Sequence, residues 1–448
     1  MHSEKIVIML EVLADRTYRH LFLAQVIALV GTGLATVALG LLAYDLAGAD
    51  AGAVLGTALA IKMIAYVGVA PVAAAFAERL PRRTMLVSLD LVRAAVAVFL
   101  PFVTEVWQVY VLIFILQAAS AGFTPTFQAS IPDVLPREKD YTRALSLSRL
   151  AYDLESVVSP MLAAALLSVI SFHSLFAGTV IGFLASAALV VSVVLPSPQP
   201  TEPRGIYERT TRGIRIYLAT PRLRGLLALN LAVAAASAMV IVNTVVLVQA
   251  KFGLSQSDTA LALAAFGGGS MIAALALPRL LDSIPDRAAM LSGAALLVAG
   301  VFAGPLATSY QLLLPLWFVL GLGYSLAQTP SGRLIKRSAD PVDRPALFAA
   351  QFALSHACWL ITYPIAGLVG AAIGLPFTFI LLGVIGAGAL LAAIWLWPRH
   401  DPDVLTHAHE DLPHGHSHLE DAVSTEAGFE HSHGYVVNDR HPKWPKAS

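Results

Sequence analysis

Between His20 and Trp397 the chain returns repeatedly to apolar runs of about 20 residues, the length a helix needs to cross the hydrocarbon core of a bilayer. This recurrence constrains the fold more than any motif does. Backbone polar groups in lipid must be satisfied within their own segment or in a closed barrel, and runs this long are helical. Composition agrees: 57% of the 448 residues are hydrophobic, 13% are charged, and the mean hydropathy is +0.72. Soluble domains carry about a quarter charged residues. The expected fold is an all-α membrane protein of twelve transmembrane helices.

Several function classes fall away at once. Net charge is zero, so there is no electrostatic footprint for nucleic acid. The single cysteine, Cys358, lies in an apolar segment and excludes an internal disulfide. The first 19 residues lack the uncharged core and cleavage site of a removable signal peptide. Gly267-Gly-Gly269 has no preceding strand and no Walker lysine, so it reads as a close helix approach rather than a phosphate loop. Neither ATP-driven transport, enzyme chemistry nor a cofactor has support, which leaves coupling to an ion gradient.

The spans are drawn as His20–Tyr44, Ala53–Phe76, Thr84–Val103, Trp107–Phe123, Ala144–Ile170, Leu175–Leu195, Leu223–Val248, Thr259–Leu281, Ala288–Thr308, Leu312–Ile335, Ala346–Ile373 and Phe377–Trp397. The loops after the even-numbered spans up to the tenth hold the arginines and lysines, among them Arg79, Arg82, Arg83, Arg137, Lys139, Arg333 and Arg337, while the alternate loops carry only Lys251. The positive-inside rule makes the basic loops cytoplasmic, and with them both termini. The organisation expected is an N-terminal segment 1–19, a six-helix half 20–195, a linker 196–222, a second half 223–397 and a tail 398–448.

The halves repeat. Glu78-Arg-Leu-Pro81-Arg-Arg83 returns as Asp282-Ser-Ile-Pro285-Asp-Arg287, Thr124-Pro125 as Thr329-Pro330, and Ser159-Pro160 as Tyr363-Pro364. The three proline pairs keep one offset to within a residue. Parallel repeats of six spans describe transporters whose site lies at the midplane between halves.

Tyr18-Arg-His-Leu-Phe-Leu-Ala-Gln resembles the opening helix of major facilitator superfamily efflux proteins. Ala77-Glu-Arg-Leu-Pro-Arg-Arg83 resembles that superfamily's signature between helices 2 and 3, without its leading glycine. Ser159-Pro160-Met-Leu-Ala163-Ala164 resembles the antiporter motif of helix 5, with Ser or Ala at its three glycines. The resemblance implies two pseudo-symmetric halves and a monomer in a bacterial-type cytoplasmic membrane. In that layout helix 2 packs beside helix 11, bringing Lys62 near His356.

After Pro398 the composition changes. Nine of the thirteen histidines follow, among them His407, His409, His414, His416, His418, His431 and His433, spaced as His-x-His among acidic residues. Imidazole without thiolate suits Zn, Cu(II), Ni and Co. The tract reads as a metal-binding tail without fixed structure until it is loaded; the plainer reading is a solvated low-complexity end. A twelve-span facilitator with such a tail resembles nickel-resistance exporters of the NreB type, which implies efflux of Ni²⁺, with Co²⁺ next.

Charged groups inside the spans mark the pathway, since each is costly in lipid. Asp153 and Glu155 lie in span 5, about 200° apart on a helix. They read as metal ligand and proton carrier, or as a buried pair with Arg149 or Lys62. Lys62 is a coupling element or an ion-pair partner. His356 is a ligand, a relay or a packing residue, and Cys358 is packing. Asp90 and Arg93, three apart, read as a mutual structural pair, and Glu78, Arg82, Arg83, Asp282 and Arg287 as charge pairs or gates. Gln117, Asn230 and Asn243 line the pathway or bond between helices. The reading is a secondary transporter that exports a divalent metal, with protons and the bilayer as its other partners. Two rivals stand: an exporter of an organic molecule or metal chelate, with Phe123, Trp317, Phe318 and Tyr324 as pathway aromatics, and a membrane-held metal buffer.

Overall fold

The structure is a computed structural model that describes residues 11–77, 80–196, 206–281, 284–340, 343–399, 401, 404–409, 423–425, 428–438, 441 and 444. The crossing helices are α1 (Arg16–Ala47), α2 (Ala51–Ala77), α3 (Arg82–Phe99), α4 (Val106–Val134), α5 (Glu138–Leu167), α6 (Phe172–Val191), α7 (Pro221–Val245), α8 (Gln256–Leu280), α9 (Asp286–Ala303), α10 (Tyr310–Gln328), α11 (Arg344–Pro364) and α12 (Leu375–Leu396). Ten stretches of the described residues are long and apolar enough to cross a membrane, one of them covering both α1 and α2. Helix α5 is as long as its neighbours but is interrupted by charged positions.

Local chemistry starts these helices. The Asp15 carboxylate accepts the Tyr18 N–H at 2.8 Å and caps α1. Capping boxes open α4 (Glu105 with Gln108) and α8 (Ser255 with Asp258). Pro81 and Pro285, the repeated prolines, precede the first residues of α3 and α9.

The same pairings occur in each half: α1 packs on α6, α2 on α4, and α3 on both α4 and α6, while α7 packs on α12, α8 on α10, and α9 on both α10 and α12. The halves meet along α2–α11 and α5–α8, which are equivalents under the repeat. On the side away from the arginine-rich loops this seam is tight. A Cβ on Gly56 would come 2.6 Å from the Tyr363 carbonyl, and one on Gly52 would come 2.7 Å from Asn243 Oδ1. The Ser257 hydroxyl donates to the Leu167 carbonyl at 3.2 Å across α8 and α5. The Gly267–Gly269 run does bring helices together: a Cβ on Gly269 would overlap the Phe318 carbonyl, and one on Gly321 the Phe266 carbonyl.

Several sequence expectations change. Span 10 breaks at Thr329-Pro330 into α10 and a short helix Ser331–Arg337, because proline offers no N–H to continue the ladder. The α7 and α11 helices continue as wide turns over Val246–Lys251 and Ile365–Val369. Asn243 Nδ2 donates to the Ala366 carbonyl in the latter at 2.9 Å, satisfying an acceptor in the widened turn. The linker contains a helix, Ile206–Ala219, held against α11: the Arg212 guanidinium donates to both Asp343 carboxylate oxygens, at 2.7 and 3.1 Å. Tyr217 of this helix is buried and donates to Gln351; burial pushes its phenol up.

The sequence predicts a tail without fixed structure until it is loaded; its described residues include strands. Three strands, β1 (Val404–His409), β2 (Val423–Thr425) and β3 (Gly428–Gly434), form an antiparallel sheet in the order β1-β3-β2. Alternation of histidine with another residue is also the two-residue period of a strand, and Val404, Leu405 and Phe429 give the sheet apolar residues. Beyond it, buried Tyr435, Val437 and His441, with Trp444, settle on the arginine-rich face of the second half beside Trp397, Leu223 and Leu334.

Candidate transport site

Helix α5 carries Glu155 against α1 at Gly33. A Cβ at Gly33 would overlap Ser159 and come 2.7 Å from Glu155 Oε1, so the bare glycine makes room for the carboxylate. One end of this contact is tied by the Tyr18 hydroxyl, which donates to the Ala144 carbonyl at 3.0 Å. Asp153 is two residues earlier on α5; its side chain, like that of Arg149, lies outside the described residues.

Lys62 on α2 joins the halves. Its ammonium is within Coulombic reach of the Glu155 carboxylate on α5 and of the His356 ring on α11, and it lies 5.8 Å from the Tyr66 ring centroid. Tyr66 stacks on His356 at 5.4 Å with an interplanar angle of 20°, and the Phe352 ring lies 3.9 Å from His356 and 5.7 Å from Tyr66, closing a three-ring cluster. The placement of Lys62 beside His356 through the α2–α11 contact is therefore present. His356 Nδ1 bonds the Phe352 carbonyl at 2.6 Å. A carbonyl only accepts, so Nδ1 carries the hydrogen and Nε2 is left as the acceptor or ligand atom of the neutral ring. Cys358 donates to the Leu354 carbonyl at 3.4 Å and is buried, a packing position.

A narrow crevice opens beside Lys62, walled by Thr32 and Thr36 of α1, Gln117 and Ser120 of α4, and Phe183 of α6. Its free space is about that of one water molecule. Behind Phe183 stands the Asp90–Arg93 ion pair, fully buried, with Ser186 donating to Asp90 at 2.7 Å and Arg93 sandwiched between Phe123 and Phe183 at 4.2 and 4.4 Å. That geometry is the mutual pair read from their spacing. Of the aromatics considered for a pathway wall, Phe123 is spent on Arg93. Trp317 is fully buried, its Nε1 donating to Thr244 at 2.8 Å. Phe318 and Tyr324 are partly exposed.

At the arginine-rich face Arg82 pairs with Asp133, and Arg83 donates to the Val191 carbonyl at the end of α6. Arg287 does the same at the end of α12, donating to the Trp397 and Ile394 carbonyls at 3.1 and 3.2 Å. Glu78 and Asp282 lie outside the described residues, as do His414, His416 and His418. In the tail sheet His407 pairs in register with His431, Leu405 with His433, and His409 with Phe429. His407, His409, His431 and His433 thus occupy alternate positions on adjacent strands, with the His407 and His409 positions across from and diagonal to His431. The side chains of His407, His409 and His433 are outside the described residues. Among the described residues no group of three or more His, Cys, Asp or Glu side chains gathers to hold a metal.

Sequence reasoning missed the partners that complete this site: Gly33, Tyr66 and the crevice hydroxyls. The spacings Thr32-x-x-x-Thr36 and Gln117-x-x-Ser120 are ridges on single helices and could have been read, but which helices face each other could not.

The profile described as Major Facilitator Superfamily matches residues 21–243 and 226–431. The chain belongs to the major facilitator superfamily. Its members are transporters, not enzymes. Curated relatives include the MFS-type transporter YfiS of Bacillus subtilis, 28% identical over 120 residues (27% of this chain and 28% of that one). Macrolide efflux protein A of Enterococcus faecalis is 27% identical over 152 residues, covering 32% and 47%. Its counterpart in Streptococcus pyogenes is 28% identical over 152 residues, covering 32% and 37%. The chain thus spans less than half the length of the curated relatives it matches. Solved structures share the fold. The inward-facing, unoccupied bacterial homolog of the human lysosomal transporter Spinster aligns at a TM-score of 0.68 and 14% identity, covering 85% of this chain and 96% of that one. A D-xylose-proton symporter aligns at 0.60 and 15%, covering 87% and 97%.

Proposed function

We propose that this facilitator is a proton-coupled exporter of a divalent transition metal, Ni²⁺ first and Co²⁺ next, working by alternating access from a bacterial cytoplasmic membrane as a monomer with both termini inside. The observation that carries the coupling is the convergence of Glu155, Lys62 and His356 on the seam between halves. A carboxylate beside a cation has two ways to be neutralised, by the ammonium or by a proton, and ion paths in membranes are built from such residues. His356 Nε2 supplies the neighbouring imidazole. The metal rests on the tail: histidines in register on adjacent strands, tethered to the arginine-rich face, are suited to gathering borderline cations before export. Asp153 joins the site as the second carboxylate of α5.

Proteoliposome flux tests this reading. An imposed proton gradient should drive Ni²⁺ or Co²⁺ across the membrane, and Glu155→Gln should stop it while the protein stays folded. If no gradient moves Ni²⁺, Co²⁺ or Zn²⁺, the reading fails. Retention of metal without any flux would instead identify a membrane-held buffer.

An organic solute or metal chelate is the second reading, and one observation favours it. The crevice beside Lys62 is walled mostly by apolar side chains (Leu39, Leu59, Ile113, Leu116 and Phe183), with hydroxyls, an amide and an ammonium among them and no carboxylate, a wall better matched to a neutral or anionic solute than to a bare cation. The likeness to macrolide efflux proteins agrees with it. Flux of a Ni²⁺–citrate complex compared with free Ni²⁺ in the same vesicles separates the two.

A further inference from the structure

The crevice beside Lys62 breaks the symmetry of the two halves. In the second half α8 and α10 are pressed together: a Cβ on Gly269 would overlap the Phe318 carbonyl, and one on Gly321 the Phe266 carbonyl. Carried back by the offset that the proline pairs keep, Gly269 falls on Ile64 or Ala65 of α2, and Gly321 on Leu116 or Gln117 of α4. With side chains at those positions α2 and α4 leave a crevice, bounded also by α1 and α6. Gln117 lines it, is 6% exposed, and has a side-chain oxygen with no hydrogen-bond partner among the described residues. An acceptor buried that completely loses free energy unless a donor reaches it. Thr32, Thr36 and Ser120 each donate their hydrogen to a backbone carbonyl one turn back, at 2.9, 3.0 and 2.9 Å, which leaves their oxygens as further acceptors. The free space is about that of one water molecule, hence of one hydroxyl group. Lys62 borders it and lies 5.8 Å from the ring of Tyr66, which stacks on His356 of α11. The crevice therefore opens toward the seam between the halves.

We infer that this crevice is a specificity subsite: it takes a neutral hydroxyl group at the end of an organic cargo, and Gln117 is the residue that selects it. A hydroxyl fits the space, gives its hydrogen to the amide oxygen, and leaves the carbon that bears it to the apolar wall. Other group chemistries fail there for separate reasons. An alkyl end or an ether fills the space but leaves the buried acceptor unpaired, and a site built to bond a hydroxyl rejects the analogue without it. A carboxylate meets acceptors only. An ammonium or a bare metal ion has donors or charge to offer but comes to rest beside the Lys62 cation, with no acid in the wall to offset it. The second half has no counterpart, because its glycines close the equivalent space, so the cargo is held in one orientation, hydroxyl end toward the first half. The inference deepens the reading of the cargo as an organic solute and rests on it.

The test uses the full-length protein in nanodiscs. Cys358→Ala removes the chain's single thiol, Ser120→Cys places one in the crevice, and its rate of reaction with methyl methanethiosulfonate is followed in the presence of three matched probes. Benzyl alcohol carries the hydroxyl, benzyl methyl ether keeps the oxygen without its hydrogen, and benzylammonium keeps donors but adds charge. The alcohol should protect the thiol at a concentration about tenfold lower than either of the others, the worth of one hydrogen bond to a buried acceptor. In Gln117→Leu that advantage should vanish while the thiol still reacts. If Gln117→Leu fails to fold, Gln117→Met, of similar length and without the acceptor, carries the comparison. Equal protection by alcohol and ether, or an advantage that survives loss of the amide, overturns the proposal. So does a thiol that never reacts, since a crevice closed to the reagent is closed to a cargo. Absence of protection by any probe would mean that the crevice holds water only, and overturns it too. The cargo reading is judged separately by flux in proteoliposomes: organic flux indifferent to Gln117→Leu would keep that reading and remove the subsite, whereas selective protection without organic flux would keep the subsite and remove that reading.

Discussion

Arg222 at the start of α7 pairs with Asp401 of the tail at 3.1 Å, with 2% of the arginine side chain and 9% of the aspartate exposed. The same carboxylate pairs with Arg337 beyond α10 and accepts the Trp397 Nε1 hydrogen at 3.0 Å. Arg222 also donates to the Tyr435 carbonyl at 3.3 Å, and Trp444 lies over its guanidinium at 4.9 Å. One acid thus fastens the tail to the arginine-rich ends of α7, α10 and α12. Burial there also pushes the Tyr435 phenol up.

Removing that charge should undock the tail. Asp401→Asn leaves two arginines facing one neutral amide, and breaking a buried pair from one side costs about 3 kcal/mol. The expected result is rapid proteolysis within residues 398–448 and a lower unfolding temperature. Unchanged protection would show that the apolar contacts of Tyr435, Val437 and Trp444 suffice alone.

The two halves solve one electrostatic problem with opposite signs. At the start of α3, Arg82 pairs with Asp133 at the end of α4; at the start of α9, Asp286 pairs with Arg333 beyond α10. The residue after the repeated proline changes sign, and so does its partner. Arg82→Asp should therefore destabilise by about 1 kcal/mol, since the pair is partly exposed, and Arg82→Asp with Asp133→Arg should recover the loss. Thermal unfolding of the three proteins decides it; a double variant no better than the single would mean the sign is fixed by other neighbours.

The α1–α5 approach should be tunable from either side. Gly33→Ala drives a methyl into Ser159 and toward Glu155, an overpacking that costs about 1–3 kcal/mol. Ser159→Gly opens that space, so the double variant should regain most of the stability. Unfolding temperature in detergent reads the coupling between the two sites. Additive losses would sink the contact as described.

In the tail, position rather than number of histidines should matter. Removing His407 and His431, paired in register, should weaken Ni²⁺ binding on the order of tenfold more than removing His416 and His418, because a sheet orders its pair in advance. Calorimetry on full-length protein compares the two double variants. Equal losses would return the tail to a compositional chelator. Deleting residues 404–434 while keeping Asp401 tests capture without disturbing the clamp, which deletion of 400–448 would confound.

The bundle was legible in the sequence because its determinants are local. Segment length, apolarity, proline offsets and the asymmetry of arginines act residue by residue, and they placed α1 to α12, the two halves and the Asp90–Arg93 pair. The carboxylate on α5, the lysine on α2 and the histidine on α11 also announced themselves, because a charge or imidazole in an apolar run is conspicuous. What joined them was decided only by packing across the seam. Gly33 gave Glu155 its place, Tyr66 set His356 in a stack, and the orphaned oxygen of Gln117 came to share a crevice with Lys62. The strands of the tail were not legible for the same reason. A two-residue alternation of histidines means the same thing to composition whether it chelates in a free chain or lies in a strand. Only the contacts of Asp401, Tyr435 and Trp444 with helices some 180 residues or more away in places, such as Arg222, hold it against the fold, and long-range contacts of that kind leave no period to read.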